Sequence, residues 1–249
     1  MPIHAPLIFV LLIVFIATLI RSAFGFGEAL VAVPLLAFVM PVQVATPLAV
    51  LLSITVAAIV VIQDWKRIHF RSAGWLIAAS VAGIPLGVWM LSSSHQRAVK
   101  CGLGAVILLF SVYSLIGRRP PQLHSDRLGW LLGCGLLAGV LGGAYGINGP
   151  ALVIYGSMRR WSPQHFRATL QAYFLPASML GMVGYGMSGL WVPAVTRDYL
   201  LSLPVVVPAV FLGRMINHRF SNAGFLKYVY AGLAGVGALL LFQAITGRI

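Results

Sequence analysis

The sequence predicts an all-α polytopic membrane protein made of two pseudo-symmetric, inverted repeats, and three observations predict it. Apolar residues fill 60% of the 249 positions and charged residues 8%, against roughly a quarter charged in a soluble domain. Apolar runs of helical length recur along the whole chain, each close to the ~20 residues that a bilayer requires. A glycine-rich break then interrupts this pattern twice, at Gly25-Phe26-Gly27-Glu28 and over Gly142 to Pro150. In lipid a broken helix exposes peptide groups that only protein or a polar cavity satisfies. Paired breaks therefore point to a binding site of the transporter kind.

Taken in order, the first span covers residues 7–24. It has the apolar length of a secretion signal, but no Lys or Arg precedes it and many spans follow, so it reads as a retained helix. Residues 28–40 come after the first break and reach about 20 Å at about 1.5 Å per residue, short of a core about 30 Å thick. Spans near 47–63, 72–91 and 98–116 complete repeat one, about 7–116. The linker 117–127, with Arg118, Arg119, Pro120 and Pro121, is polar and marks the boundary. Repeat two, about 128–246, runs through a span at 128–145, the second break, a short segment at 149–158 of about 15 Å, and spans at 168–190, 198–216 and 224–246. The expectation is a single integral domain, 1–249, with about eight full transmembrane helices and two half-helices. Matching residues support the repeat: Gly25 with Gly146, Ala45-Thr46 with Ala168-Thr169, Gly87 with Gly213 and Gly104 with Gly232, at offsets that drift slowly from 121 to 128.

Charge gives the orientation. The net charge is +13, but the basic residues are scattered between apolar runs, which excludes a nucleic-acid surface. If the short segments cross, 13 of the 17 Lys and Arg fall on one face, among them Arg21, Arg71, Arg127, Arg159 and Arg167, and the other face keeps Arg97, Lys100, Arg197 and Arg248. The positive-inside rule makes the first face cytoplasmic and puts both termini outside. Cys101 and Cys134 sit in apolar runs without a CxxC pair, and no two histidines have the i, i+4 spacing of a helical metal site. No nucleophile is paired with a base and no GxxxxGK loop is present, so neither an enzyme, a cofactor nor direct ATP coupling is expected.

The breaks suit an anion. A helix start offers unpaired N–H groups and a positive dipole end, and glycine admits a ligand close to the backbone. The candidate substrate-binding residues are Gly25, Gly27, Gly146, Gly149 and Pro150 at the breaks, with Asn148 donating through its amide and Thr46 and Thr169 through hydroxyls. Arg167 is placed to attract an anion at the cytoplasmic entrance. Glu28, the one glutamate, has two readings. A carboxylate taken out of water favours its protonated form, so it could carry a proton with the substrate; a glutamate in a first helical turn also complements the dipole there. Gln171 and Tyr173 read as pathway or packing residues.

The run Gly142 to Tyr155, then Trp161-Ser162-Pro163 and Phe166-Arg167-Ala168-Thr169-Leu170-Gln171, resembles the second-repeat signature of the TauE/SafE sulfite-exporter-like permeases. Gly25-Phe26-Gly27 leading to Val33-Pro34-Leu35, with Ala45-Thr46 beyond, resembles the first-repeat counterpart. Glu28 and Asn148 stand where many relatives carry further glycines. The resemblance spans nearly the whole chain and implies a multi-pass permease of the bacterial inner membrane. Its substrate would be a small anion, often a sulfur-containing one such as sulfite or an organosulfonate. An anion channel, or a membrane subunit of a larger complex, is the alternative; the homo-oligomeric state is left open.

Overall fold

A computed structural model describes residues 7–93, 95–117, 122–123, 127–161, 163–219 and 223–246. Of the linker, Arg118, Arg119, Pro120 and Pro121 lie outside the described residues, as does Arg248. The described chain forms ten α-helices: α1 (Leu7–Phe24), α2 (Glu28–Leu36), α3 (Val42–Asp64), α4 (Phe70–Ser93), α5 (Gln96–Ile116), α6 (Leu128–Tyr145), α7 (Gly149–Met158), α8 (Pro163–Met187), α9 (Pro193–Arg219) and α10 (Ala223–Thr246). No strand occurs among the described residues.

Among the described residues, six helices are long and apolar enough to cross a membrane: α1, α3, α4, α5, α6 and most of α9. The other two expected spans differ in detail. α8 has 25 residues, but His165, Arg167, Thr169 and Gln171 in its first turns dilute its apolar character. α10 has 24 residues, and its sequence is apolar apart from a few positions such as Lys227 and Gln243. α2 and α7 are short, with 9 and 10 residues. Three helices begin about five residues before their apolar runs, and proline explains each. Pro41 caps α3, while Pro163 and Pro193 open α8 and α9. Proline at a first helical position loses no hydrogen bond and arrives with helical φ. Large apolar side chains such as Leu86 and Trp89 on α4, Leu109 on α5 and Phe211 on α9 face outward, as a lipid surround requires.

The halves are interleaved. α4 packs on α6, α1 on α9, α3 on α8 and α5 on α10. Glycine makes the first two contacts possible: a Cβ on Gly87 would strike the backbone of Val140, Gly143 and Ala144, and one on Gly213 would strike Leu19, Ser22 and Ala23. The two sets match position for position at an offset of 121. Between α3 and α8, the Ser53 and Ser178 hydroxyls hydrogen-bond at 3.2 Å.

Candidate functional site

Both breaks are built alike. α1 stops where Gly25 turns left-handed (φ 85°) and donates its N–H to the Arg21 carbonyl at 2.6 Å; α6 stops where Gly146 (φ 69°) donates to the Gly142 carbonyl at 2.8 Å. A left-handed residue closing such a 5→1 bond is a common helix stop, and it favours glycine because a Cβ is strained there. Gly27 (φ 103°) then precedes α2 and Asn148 precedes α7, and neither supplies a side-chain cap. The starts of two short helices therefore present uncapped N–H groups and positive dipole ends. Pro150 sits in the first turn of α7, where its missing N–H is harmless.

These two starts meet. A Cβ on Gly149 would lie 3.6 Å from the Phe26 ring, and one on Gly146 3.6 Å from Ala29. Between them is a cavity of about 20 Å³ lined by both breaks, Gly27 to Leu30 and Gly146 to Pro150, with Arg21, Ser53 and Phe174. That volume suits about one water molecule.

Arg21 is the organising side chain, and the sequence reading had assigned it to the cytoplasmic surface. It is 3% exposed. Its Nη1 donates to Glu28 Oε2 at 2.6 Å and to Ser53 Oγ at 2.6 Å; its Nη2 donates to Gln171 Oε1 at 2.8 Å and to the Ser53 carbonyl at 3.3 Å. The guanidinium also lies 4.8 Å over the Phe174 ring. Thr18 donates to Glu28 Oε1 at 3.2 Å. Depth follows from Ser53, which is the middle residue of α3 and so about 16 Å along the helix from either end. An arginine bonded to both the hydroxyl and the carbonyl of that residue lies in the membrane interior. A charge there is tolerated only when paired and hydrogen-bonded, and Glu28 supplies the pair. Glu28 is thus neither an isolated carboxyl nor a simple helix cap.

Of the candidate residues, Gly27, Glu28, Gly146, Asn148, Gly149 and Pro150 line the cavity, and Gly25, Thr46, Arg167 and Thr169 do not. Gly25 lets α8 approach, since a Cβ there would lie 3.1 Å from Arg167, and its carbonyl accepts a bond from Gln171 Nε2 at 2.8 Å. Arg167 is buried against this turn and not exposed at an entrance. Arg21 and Arg167 are buried, and so is Lys100 of the opposite set, so the thirteen against four read from the sequence becomes eleven against three. Thr46 is buried beside Gly146 with its hydroxyl unpartnered among the described residues. The Thr169 hydroxyl accepts the His69 N–H at 3.0 Å and so ties α8 to the start of α4. Asn148 folds its amide over Gly142, beside the Tyr173 hydroxyl. Sequence reasoning missed Arg21, Ser53 and Thr18, and left Gln171 undecided. One signal was available: an arginine four residues inside an apolar helix and seven before the one glutamate.

The chain is 29% identical over 183 residues to the "Probable sulfite/organosulfonate exporter TauE" of Cupriavidus necator, covering 74% of this chain and 70% of that protein. It is 24% identical to the "Probable membrane transporter protein YunE" of Bacillus subtilis, covering 95% of this chain and 98% of that protein. No solved structure matches it. The family model described as sulfite exporter TauE/SafE matches residues 10–241, a stretch that includes both breaks and the buried ion pair, and the chain belongs to that family of membrane transporters.

Proposed function

We propose that the protein is a proton-coupled secondary permease of the bacterial inner membrane for a small anion, of the sulfite or organosulfonate class. The single observation that carries this reading is the buried Arg21, which lines the cavity where two uncapped helix starts converge. Three positive features around one space suit an oxyanion, and planar guanidinium is the side chain best matched to one. The name of the Cupriavidus necator relative supports the sulfur-anion class, and that of the Bacillus subtilis relative supports membrane transport. In this reading Glu28 carries the proton. The substrate sits between two inverted repeats, about 7–116 and 128–246, a relation supported by the matched contacts of Gly87 and Gly213 and by the Ser53–Ser178 bond between equivalent positions.

The test is flux into proteoliposomes loaded with purified protein, using sulfite, methanesulfonate, thiosulfate and acetate, with and without a pH gradient. Uptake of a sulfur anion that saturates and follows the gradient is expected. Unsaturable passage down any gradient would establish a channel, and preference for acetate would overturn the sulfur-anion class.

A further inference from the structure

The cavity is occupied at its charged end by the protein itself. Glu28 presents to Arg21 what a substrate oxyanion would present, two oxygens bearing one negative charge, and it does so through one contact only, Oε2 on Nη1. The guanidinium does not depend on that contact for its position. Ser53 and Gln171 hold it from α3 and α8 through three further bonds, and its Nε–H has no partner among the described residues. Arg21 would therefore stay in place, with donors to offer, if Glu28 turned away.

Two constraints make that exchange necessary for loading. The remaining space suits about one water, so a tetrahedral oxyanion fits only when the glutamate side chain moves. An anion placed on Arg21 beside an ionised Glu28 would also meet strong like-charge repulsion, because both would lie in one low-dielectric cavity. The second half provides no alternative: at the offset of 121, the positions equivalent to Arg21 and Glu28 are Gly142 and Gly149, so the molecule has one such pair. The groups facing Glu28 are Arg21 and Thr18 on α1, Ser53 on α3, Gln171 on α8 and Asn148 at the start of α7, with Arg167 of α8 behind the Gly25 turn. α5 and α10 also pack on α2 but bring no charged group to the carboxylate among the described residues.

We infer that Arg21 is the substrate-binding residue and Glu28 its tethered competitor, so that the transported anion replaces the Glu28 carboxylate on Arg21 as Glu28 takes a proton. The proton comes from water on the loading side, travels on Glu28, and returns to water on the far side when the anion leaves and the ion pair re-forms. One proton accompanies one monovalent anion, and no net charge crosses. This rests on the small-anion reading of the cavity.

Methanesulfonate is the probe, because its charge is fixed across the useful pH range whereas sulfite itself titrates there. Binding to the purified protein is followed by calorimetry in buffers of different ionisation enthalpy, which counts the protons taken up. The parent is expected to take up one proton per anion and to bind about tenfold more weakly for each unit of rising pH on the alkaline limb. Glu28→Gln should bind as tightly at high pH as the parent does at low pH, with no slope. Arg21→Gln/Glu28→Gln, a neutral pair that leaves no buried charge alone, should bind at least a hundredfold more weakly than Glu28→Gln. Binding by the parent with no proton uptake, a pH slope retained in Glu28→Gln, or a double variant that binds as well as the single one would each overturn the exchange while leaving the anion site standing. The proton count needs the parent alone, so a Glu28→Gln that fails to fold does not prevent the decision. If neither methanesulfonate nor acetate binds the parent at any pH, the small-anion reading falls and the exchange with it.

Discussion

Glycine serves two different purposes within a few residues here, and the geometry separates them. Gly87, Gly143 and Gly213 let helix backbones touch, and any side chain there collides with main-chain atoms that cannot move aside. Gly25, Gly27 and Gly146 have positive φ, which a side chain strains. Gly149 has neither requirement: its φ is not in the left-handed region, and a Cβ would make an ordinary 3.6 Å contact with Phe26. Gly149→Ala is therefore expected to fold and insert like the parent, with a thermal midpoint within a few degrees, yet to transport at least tenfold more slowly because its methyl group stands at the cavity wall. Gly87→Ala is the contrasting case, with a loss of about 1–3 kcal/mol from overpacking. Thermal unfolding and uptake, measured on both variants, check the distinction; a fully active Gly149→Ala would move the anion away from the start of α7.

At the scale of elements, the two short helices matter less for what they span than for where they begin. Each follows a left-handed glycine stop, and each start is uncapped, so the half-helices bring their polar ends into the protein interior where a full span would carry only side chains. α3 and α8 pack on each other beside this region, joined by Ser53 and Ser178. If transport requires the halves to rock against each other, this contact lies near the centre of the motion. Ser53→Cys/Ser178→Cys, in a background without Cys101 and Cys134, is expected to form a disulfide on mild oxidation and to lose most of the uptake it shows when reduced, the reduced variant being the baseline because Ser53 also holds Arg21. Efficient cross-linking with unchanged uptake would show that α3 and α8 move as one body.

For the whole molecule, burial changes the count of basic residues but not its sense. Arg21, Arg167 and Lys100 turn inward, and on the proposed inverted topology the remaining basic residues still favour the face that holds the α3–α4 turn. Lys66 in that turn and Arg197 near the start of α9 are both exposed. Lys66→Cys should react with a membrane-impermeant maleimide only in opened cells, and Arg197→Cys in intact ones, again with the native cysteines replaced. The reverse pattern would invert the orientation; reaction of both from outside would mean that one half does not cross as an inverted repeat.

The class of molecule, the family, the two breaks and the helices between them are legible along the chain, because each is written in local terms: apolar length against bilayer thickness, glycine where φ turns positive, proline where a helix starts. Hydropathy misjudged helix starts by a few residues, since it registers burial and not the caps that begin a helix. The charged centre emerges only once the helices pack. Arg21 has the same sequence signature as an arginine anchored at the membrane surface, and its true role depends on Ser53, 32 residues away, and Gln171, 150 residues away. A buried charge is stable only when several distant partners converge on it, and that convergence is a property of packing between helices that no local pattern records.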